Sequence, residues 1–510
     1  MKYPEYLDVT NLKSLFPEDF TPGQVARAQT VFLKRLSLAA HEFYGGKMMC
    51  VPKAGIYGFG WFGVWYTPGV SAISTAIRDD NLRSYDLSTR SNLVAIVSDS
   101  TRVLGDGDCT PSGGLGVMEG KAFLMYYLGG INAVPLCINT HTDPDSYKAG
   151  YRFDPKARHE HSAQKAIDFV RMAAPSFGAV NLEDISQPNC FKVLDELQDC
   201  GIPVWHDDAQ GTACVTLAGM INAIRLAGKD WRKVKAVFFG AGASNATIVR
   251  LMLAEGLAPE NVIVFDSKGG LHTGRDDLRN DPRFYRKWEI CKATNPKRID
   301  GIEEACKGAD ILCSLSTPGP DVVKKHWISS MAEKAIVFTC ANPVPEIYPH
   351  DAKDAGAYIV ATGRSDFPNQ VNNSMCFPGL LKGCLLVRAS RVTDTMAIAA
   401  AHSLARAQQS HGLDVDHIMP SMDDVEVFPR EAADVAKQAM VDGVAQRAMD
   451  YDEVFRKADH DIRENREIVD LLMESGKIPQ PPKSMIDSVL AATVDEIRGK
   501  LEAVKGSADE

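Results

Sequence analysis

A chain of 510 residues is too long for one ordinary hydrophobic core, so two or three structural units are expected. An apolar fraction of 45% and a charged fraction of 24% are those of a folded soluble protein and argue against a disordered one. The net charge of -10 argues against a general nucleic-acid binder, which needs a basic surface to displace phosphate counterions, and leaves room for local basic sites for small anions.

The first twenty residues mix charges and prolines with apolar residues and lack the apolar stretch of a secretory signal. No run approaches the roughly eighteen apolar residues of a membrane span. The twelve cysteines are scattered without a CxxC pair, and Cys214 and Cys340 sit in apolar surroundings. Reduced thiols in a cytoplasmic protein are therefore expected, rather than disulfides or a zinc site.

In chain order, residues 21–45 read as a helix, and the stretch KAGIYGFGWFGVWYTPG reads as irregular backbone or short strands ending in a turn at Pro68 and Gly69. A strand over 92–100 and a glycine-rich turn lead into a helix near Val117. VNLEDI and IPVWHDD look like apolar strands that end in acids. A helix from about residue 211 precedes strands at 235–242 and 261–266, the start of a doubly wound sheet, with further strands in ADILCSL and KAIVFTCANP. From Pro378 the pattern is mainly helical, including 429–448 and 451–475. The predicted fold is α/β, a Rossmann-like dinucleotide-binding domain combined with an α/β catalytic domain and a helical C-terminal return. The expected divisions are 1–210 for the catalytic and metal-binding part, 211–374 for the dinucleotide domain, and 375–510 for helices packing back on the first part.

Within VFFGAGASNA, Gly240, Gly242 and Ala246 have the spacing of a phosphate-binding turn, where glycine lets the backbone approach a pyrophosphate and the helix start offers unpaired N–H groups. Asp266 ends the next strand 26 positions after Gly240, where a carboxylate can accept from an adenosine ribose; a turn cap in DSKGG is its plainer reading. Two acid pairs, Glu183 with Asp184 and Asp207 with Asp208, are each ordinary turn residues when taken alone. At the ends of apolar strands they can converge as oxygen ligands for Mg2+ or Mn2+. Lys121 in VMEGKAFLMYY reads either as a snorkelling helix lysine or as a buried functional one. Tyr66, Asn342, and the pair Asn372 and Asn373 fit turn and packing roles equally well.

Taken together, YTPGV, VMEGKA, NLEDI, HDDAQGTA, GAGAS, ANPVPEI and ATGRSDFPNQVNN resemble the malic enzyme family, especially its shorter bacterial form, from about residue 66 to beyond 390. The resemblance implies Glu183, Asp184 and Asp208 as metal ligands, Lys121 as general base and Tyr66 as general acid. It implies that Asp207 pairs with the lysine, that Asn342 and Asn373 hold the substrate carboxylates, and that Arg102 is a further substrate residue, more typical of longer members. Gly240, Gly242, Ala243, Ser244, Asp266 and Asn342 are expected to border NAD, or NADP, since Lys268 and Arg275 follow the acid closely. Malate or a related 2-hydroxy diacid is the implied substrate, pyruvate and carbon dioxide the products, and a homodimer or larger homo-oligomer the assembly, with no nucleic-acid or membrane partner. The chain departs from the family pattern at Ser71, Ala72 and Ile73 and at Asp106 and Cys109, near the expected substrate cleft. Two other functions fit: a malolactic enzyme that forms lactate with bound NAD, and a dinucleotide-binding protein without catalysis.

Overall fold

Two parallel sheets, each flanked by helices, carry the chemistry-bearing residues of the chain. The structure is a computed structural model that describes residues 4–103, 106–148, 150–154 and 159–506. In the first sheet, β1 (Leu93–Ser98), β2 (Asn132–Cys137), β3 (Ala179–Leu182) and β4 (Val204–His206) run parallel in the order β2-β1-β3-β4. Both faces of a parallel sheet are covered, so its strands read as continuous apolar runs; Val94 to Val97 are 1% exposed or less. The register sets Val97 beside Leu182, and Leu182 beside His206. The carboxyl ends of β1, β3 and β4 are thus adjacent, and the residues that follow them, Asp99, Glu183 and Asp207, emerge on one edge.

The second sheet contains β5 (Ala236–Phe239), β6 (Val262–Asp266), β7 (Gly269–Gly270), β8 (Ile311–Ser314), β9 (Ala335–Thr339) and β10 (Ala357–Thr362), in the order β10-β9-β8-β5-β6-β7. Only β7 is antiparallel to its neighbour. The chain leaves β5 toward β6 and later returns to the other side of β5 with β8, so the switch point lies directly above Gly240, where ligands of such sheets bind. The strand expected to reach residue 242 stops at Phe239, because Gly240 adopts φ +98 and leaves the extended region. Val237, Phe265, Leu312, Val337 and Trp327 pack into the core of this unit.

The Phe377–Leu386 helix returns the chain to the first sheet, packing on the Leu115–Gly129 helix. Lys382 within it is 1% exposed and donates to Asn92 Oδ1 (3.0 Å), the Gly130 carbonyl (3.1 Å) and Asp461 Oδ2 (2.7 Å). A buried ammonium requires that full set of acceptors. The helix expected over 429–448 runs Val427–Val441, with Gly443 at φ +69 just beyond its end. The aromatic stretch before Tyr66 forms short helical turns, Phe59–Trp61 and Phe62–Trp65, rather than strands.

Residues up to Val51 and from Glu464 onward make a compact unit of their own. Thr21 and Gln24 form a reciprocal cap at the start of the Pro22–Tyr44 helix, which packs on Lys483–Gly506 around Phe16, Phe32, Ile486 and Ile497. All twelve cysteines are free. Among the described residues, no helix is long and apolar enough to cross a membrane.

Candidate active site

Lys121 sits on the Leu115–Gly129 helix, 8% exposed, above the ring of Phe377 with its Nζ 4.7 Å from the centroid. Its ammonium donates to Asp207 Oδ2 and, at 3.1 Å each, faces Asn373 Oδ1 and Glu183 Oε1. Asp207 opens a π-helical turn, Asp207–Gly211, that leads from β4 into the Thr212–Ala227 helix. Such turns re-aim side chains that a regular helix would point elsewhere. Gly211 is required there: a Cβ would fall 1.9 Å from Asp207 Oδ1.

Two supporting residues were missed in the sequence and follow from strand periodicity. Asn181 donates to Glu183 Oε2 (2.9 Å) and Trp205 Nε1 donates to Asp207 Oδ1 (3.1 Å). Each lies two positions before its acid, on the same face of a strand, so the i, i+2 relation was the available signal.

Glu183, Asp184 and Asp208 come together as expected, each offering an oxygen within 4.8 Å of the others. Asp208 Oδ2 accepts from the Asp184 amide at 2.7 Å, and Asp184 holds a left-handed backbone at φ +54, strain of a kind that clusters at functional sites. Four carboxylates, counting Asp207, face the single ammonium of Lys121. Burial alone would lower Lys121, but Asp207, Glu183 and Asp208 outweigh it and hold the ammonium above its ordinary value. Burial pushes Glu183 well above the usual carboxylate range, and Lys121 offsets that only in part. Asp207 is raised by burial as well, against the pull of Lys121 and Trp205. Four carboxylates gathered around one ammonium fit a divalent cation by charge as well as by oxygen donors.

Above β5, a Cβ on Gly240 would lie 2.5 Å from the Leu315 carbonyl, so the backbone approach closes to all but glycine. Gly242 caps the Ala243–Ala254 helix, whose first turn includes Ser244. The Ser244 hydroxyl donates to the carbonyl of Asp208 at 2.7 Å, joining the dinucleotide turn to the acidic site. Asp266 is enclosed: Oδ1 accepts from the Lys268 amide (3.0 Å) and Arg275 Nη1 (2.9 Å), and Oδ2 from Arg275 Nη2 (3.0 Å) and Lys287 Nζ (3.2 Å). Four donors fill the roughly four lone-pair sites of a carboxylate. Arg275 also grips Asp277, which Lys268 meets at 3.1 Å.

Arg102 is exposed, with its amide on the Asp184 carbonyl at 2.9 Å, and Asn342 is exposed after β9, against Gly363. Tyr66 stands apart, 71% exposed among Tyr57, Phe59, Phe62 and Trp65, and no hydrogen bond or ring contact among the described residues links it to Lys121. Ser71, Ala72 and Ile73 continue this exposed surface on the Val70–Asp79 helix, while Asp106 is exposed and Cys109 half-buried in the loop after β1.

A doubly wound dinucleotide fold whose phosphate turn is bonded to a lysine and carboxylate centre defines a class, the nicotinamide-dependent oxidoreductases. Residues 61–198 match the malic enzyme N-terminal domain and residues 209–440 the malic enzyme NAD-binding domain. The chain belongs to the malic enzyme family. The crystal structure of Entamoeba histolytica malic enzyme superposes with a TM-score of 0.91 at 53% identity, covering 98% of this chain and 100% of that one. The Pyrococcus horikoshii malic enzyme structure gives 0.77 at 40% identity, over 84% of this chain and 95% of that one. A bifunctional malic/malolactic enzyme of Bacillus subtilis is 38% identical, over 83% of this chain and 97% of its own length.

Proposed function

We propose that the protein oxidises and decarboxylates L-malate to pyruvate and carbon dioxide, reducing NAD or NADP, with Mg2+ or Mn2+ held by Glu183, Asp184 and Asp208. The observation that carries this reading is the buried Lys121, within hydrogen-bond reach of Asp207, Asn373 and Glu183 and beside that acidic triad. When bound, the ion supplies Lewis acidity at the substrate C2 oxygen and the dinucleotide supplies a hydride acceptor. Lys121 takes the proton of the C2 hydroxyl, and neutralisation of its carboxylate neighbours by a cation removes the attraction that otherwise keeps it protonated. Asp207 orients the amine. The amide oxygen of Asn373 is occupied by Lys121, which leaves its Nδ2 to donate to a substrate carboxylate, with Asn342 and Arg102 as further donors. Tyr66 returns a proton to C3 after carbon dioxide leaves.

The exposure of Tyr66 within an aromatic surface supports a homodimer or larger homo-oligomer, in which that surface is covered by a second copy and Tyr66 serves the copy's site. Mixing inactive Tyr66→Phe and Lys121→Ala chains then restores about a quarter of wild-type activity, because half of randomly formed dimers are mixed and each holds one intact site. No recovery would assign Tyr66 to its own chain. Asp266 together with Arg275, Lys268 and Lys287 presents more positive than negative charge, which supports use of NADP alongside NAD. The functional boundaries at 210 and 374 belong to this reading, as does a cytoplasmic location in keeping with twelve free cysteines.

Incubation with L-malate, Mn2+ and each dinucleotide, following reduced cofactor, pyruvate and lactate together, tests the function. Equal pyruvate and reduced cofactor are expected. Lactate without a change in nicotinamide absorbance would establish the malolactic reading, and no product from malate would sink both.

A further inference from the structure

A second group of potential ligands lies beyond the loop after β1, apart from the acidic triad. Asp108, His141 and His161 each present a ligand atom within 4.8 Å of the others. The backbone explains the convergence. His141 and His161 face each other across an isolated antiparallel bridge, bracketed by hydrogen bonds from Ser162 N to the Thr140 carbonyl (2.9 Å) and from Thr142 N to the Glu160 carbonyl (3.0 Å). Directly opposed residues in a pair of this kind have their side chains on the same face and closest together, and the two imidazole centroids are 4.4 Å apart.

The ring of His161 is oriented from behind. Thr140 donates its hydroxyl proton to Asp99 Oδ2 (3.0 Å), so toward His161 Nδ1 (2.9 Å) its oxygen is an acceptor, and Nδ1 carries the hydrogen. Asp99 is itself fixed by the Thr101 hydroxyl at 2.7 Å. In the neutral ring this turns the Nε2 lone pair toward Asp108 Oδ2, 2.9 Å away. Two acceptors at that distance need a proton or a cation between them. A ring N–H relayed to a carboxylate is also the usual support of a metal-bound histidine. His141 is 3% exposed, its ring enclosed by those of Tyr151, Phe153, His159 and His161.

We infer that Asp108, His141 and His161 bind a borderline divalent transition metal, zinc by preference, at a site distinct from the catalytic oxygen cluster. Two imidazoles and one carboxylate suit Zn2+ and disfavour Mg2+ and Ca2+, which take oxygen ligands. Tetrahedral zinc with bonds of about 2.0–2.1 Å needs ligand atoms roughly 3.3 Å apart, so Asp108 and His161 must separate by only a few tenths of an ångström, leaving the fourth position for water. The ion would fasten Asp108, in the loop after β1, to the bridge between His141 and His161.

The test is equilibrium dialysis of the full-length protein against Zn2+ in saturating Mg2+, which occupies the oxygen site, with bound metal measured directly. One zinc per chain is expected. His161→Ala and Asp108→Asn should each weaken zinc binding by about 100-fold or more, and Thr140→Val by about 10-fold, with Mn2+ affinity at the acidic triad unchanged. X-ray absorption of the zinc-loaded wild type should show two imidazole scatterers, a readout that does not depend on any variant folding. Absence of zinc under excess Mg2+, a coordination shell without imidazole, or equal retention by folded His161→Ala would each overturn the assignment.

Discussion

Two groups of acids at strand ends of this molecule resemble each other in sequence and behave oppositely in space. At the ends of β3 and β4, four carboxylates gather around one ammonium, and burial raises Glu183 and Asp207 above the usual carboxylate range, an effect Lys121 offsets only in part. At the end of β6, Asp266 with Asp277 is met by Arg275, Lys268 and Lys287, and Asp266 titrates below its ordinary range although burial pushes the other way. In the proposed function, a cation completes the first group. The second has already found its cations within the chain. An acid at a strand end thus means little until its counter-charges are known.

Removing the lone ammonium should have the largest effect. Lys121→Ala is expected to lower kcat/KM for malate by about 10³-fold, within the range for loss of a general base, and a loss under tenfold would move the chemistry away from this cluster. Next, Asp208→Asn should weaken Mn2+ binding by about 100-fold in a titration followed by electron paramagnetic resonance, while Asp266→Asn leaves it unchanged. Equal losses in both variants would erase the distinction between the two groups. Arg275→Ala should shift the ratio of kcat/KM values about tenfold toward NAD, roughly 1.4 kcal/mol, by freeing Asp266 and removing a cation. A ratio that does not move would show that the β6 network does not read the ribose.

The smallest contrast is in stability against pH. The folded carboxyl of Asp266 titrates below its unfolded value of about 3.9, so its contribution is present above that pH and lost as pH falls through the folded value. Asp266→Asn should therefore flatten the acid limb of Tm against pH. Glu183 has the opposite sign: its folded value is raised, so its contribution is present below its unfolded value and lost as pH rises. In metal-free protein at pH 7, Glu183→Gln should raise Tm by on the order of 2 °C. A fall instead would mean that the carboxylate excess is not a burden.

Much of the architecture was legible because it rests on local pattern. Continuous apolar runs mark β1, β3 and β4, and the glycine turn marks β5. The convergence of Glu183, Asp184 and Asp208 was legible from acids placed at the ends of apolar strands, since parallel register brings those ends together. What was not legible depends on long-range partners. The four donors around Asp266 come from Lys268, Arg275 and Lys287, whose approach is set by a turn and a helix that no periodicity specifies. The association of the Pro22–Tyr44 helix with Lys483–Gly506 lies outside any local signal: the first was read at 21–45, the second only as part of a mainly helical stretch from Pro378. Tyr66 was identified by its motif, but its exposure is a property of the folded chain.

The hydrogen bond from the Ser244 hydroxyl to the Asp208 carbonyl makes the first turn of the dinucleotide helix and the backbone of Asp208, the proposed metal ligand, one mechanical piece. In the proposed function, coenzyme seated on that turn and a cation seated on that aspartate are linked guests rather than independent ones. Whatever free energy one contributes to the binding of the other must be returned in equal measure, because linkage between two equilibria is reciprocal. On the proposed function, a single neutral hydroxyl thereby couples two adjacent sites, and order of addition becomes a matter of concentrations rather than of a fixed sequence of steps.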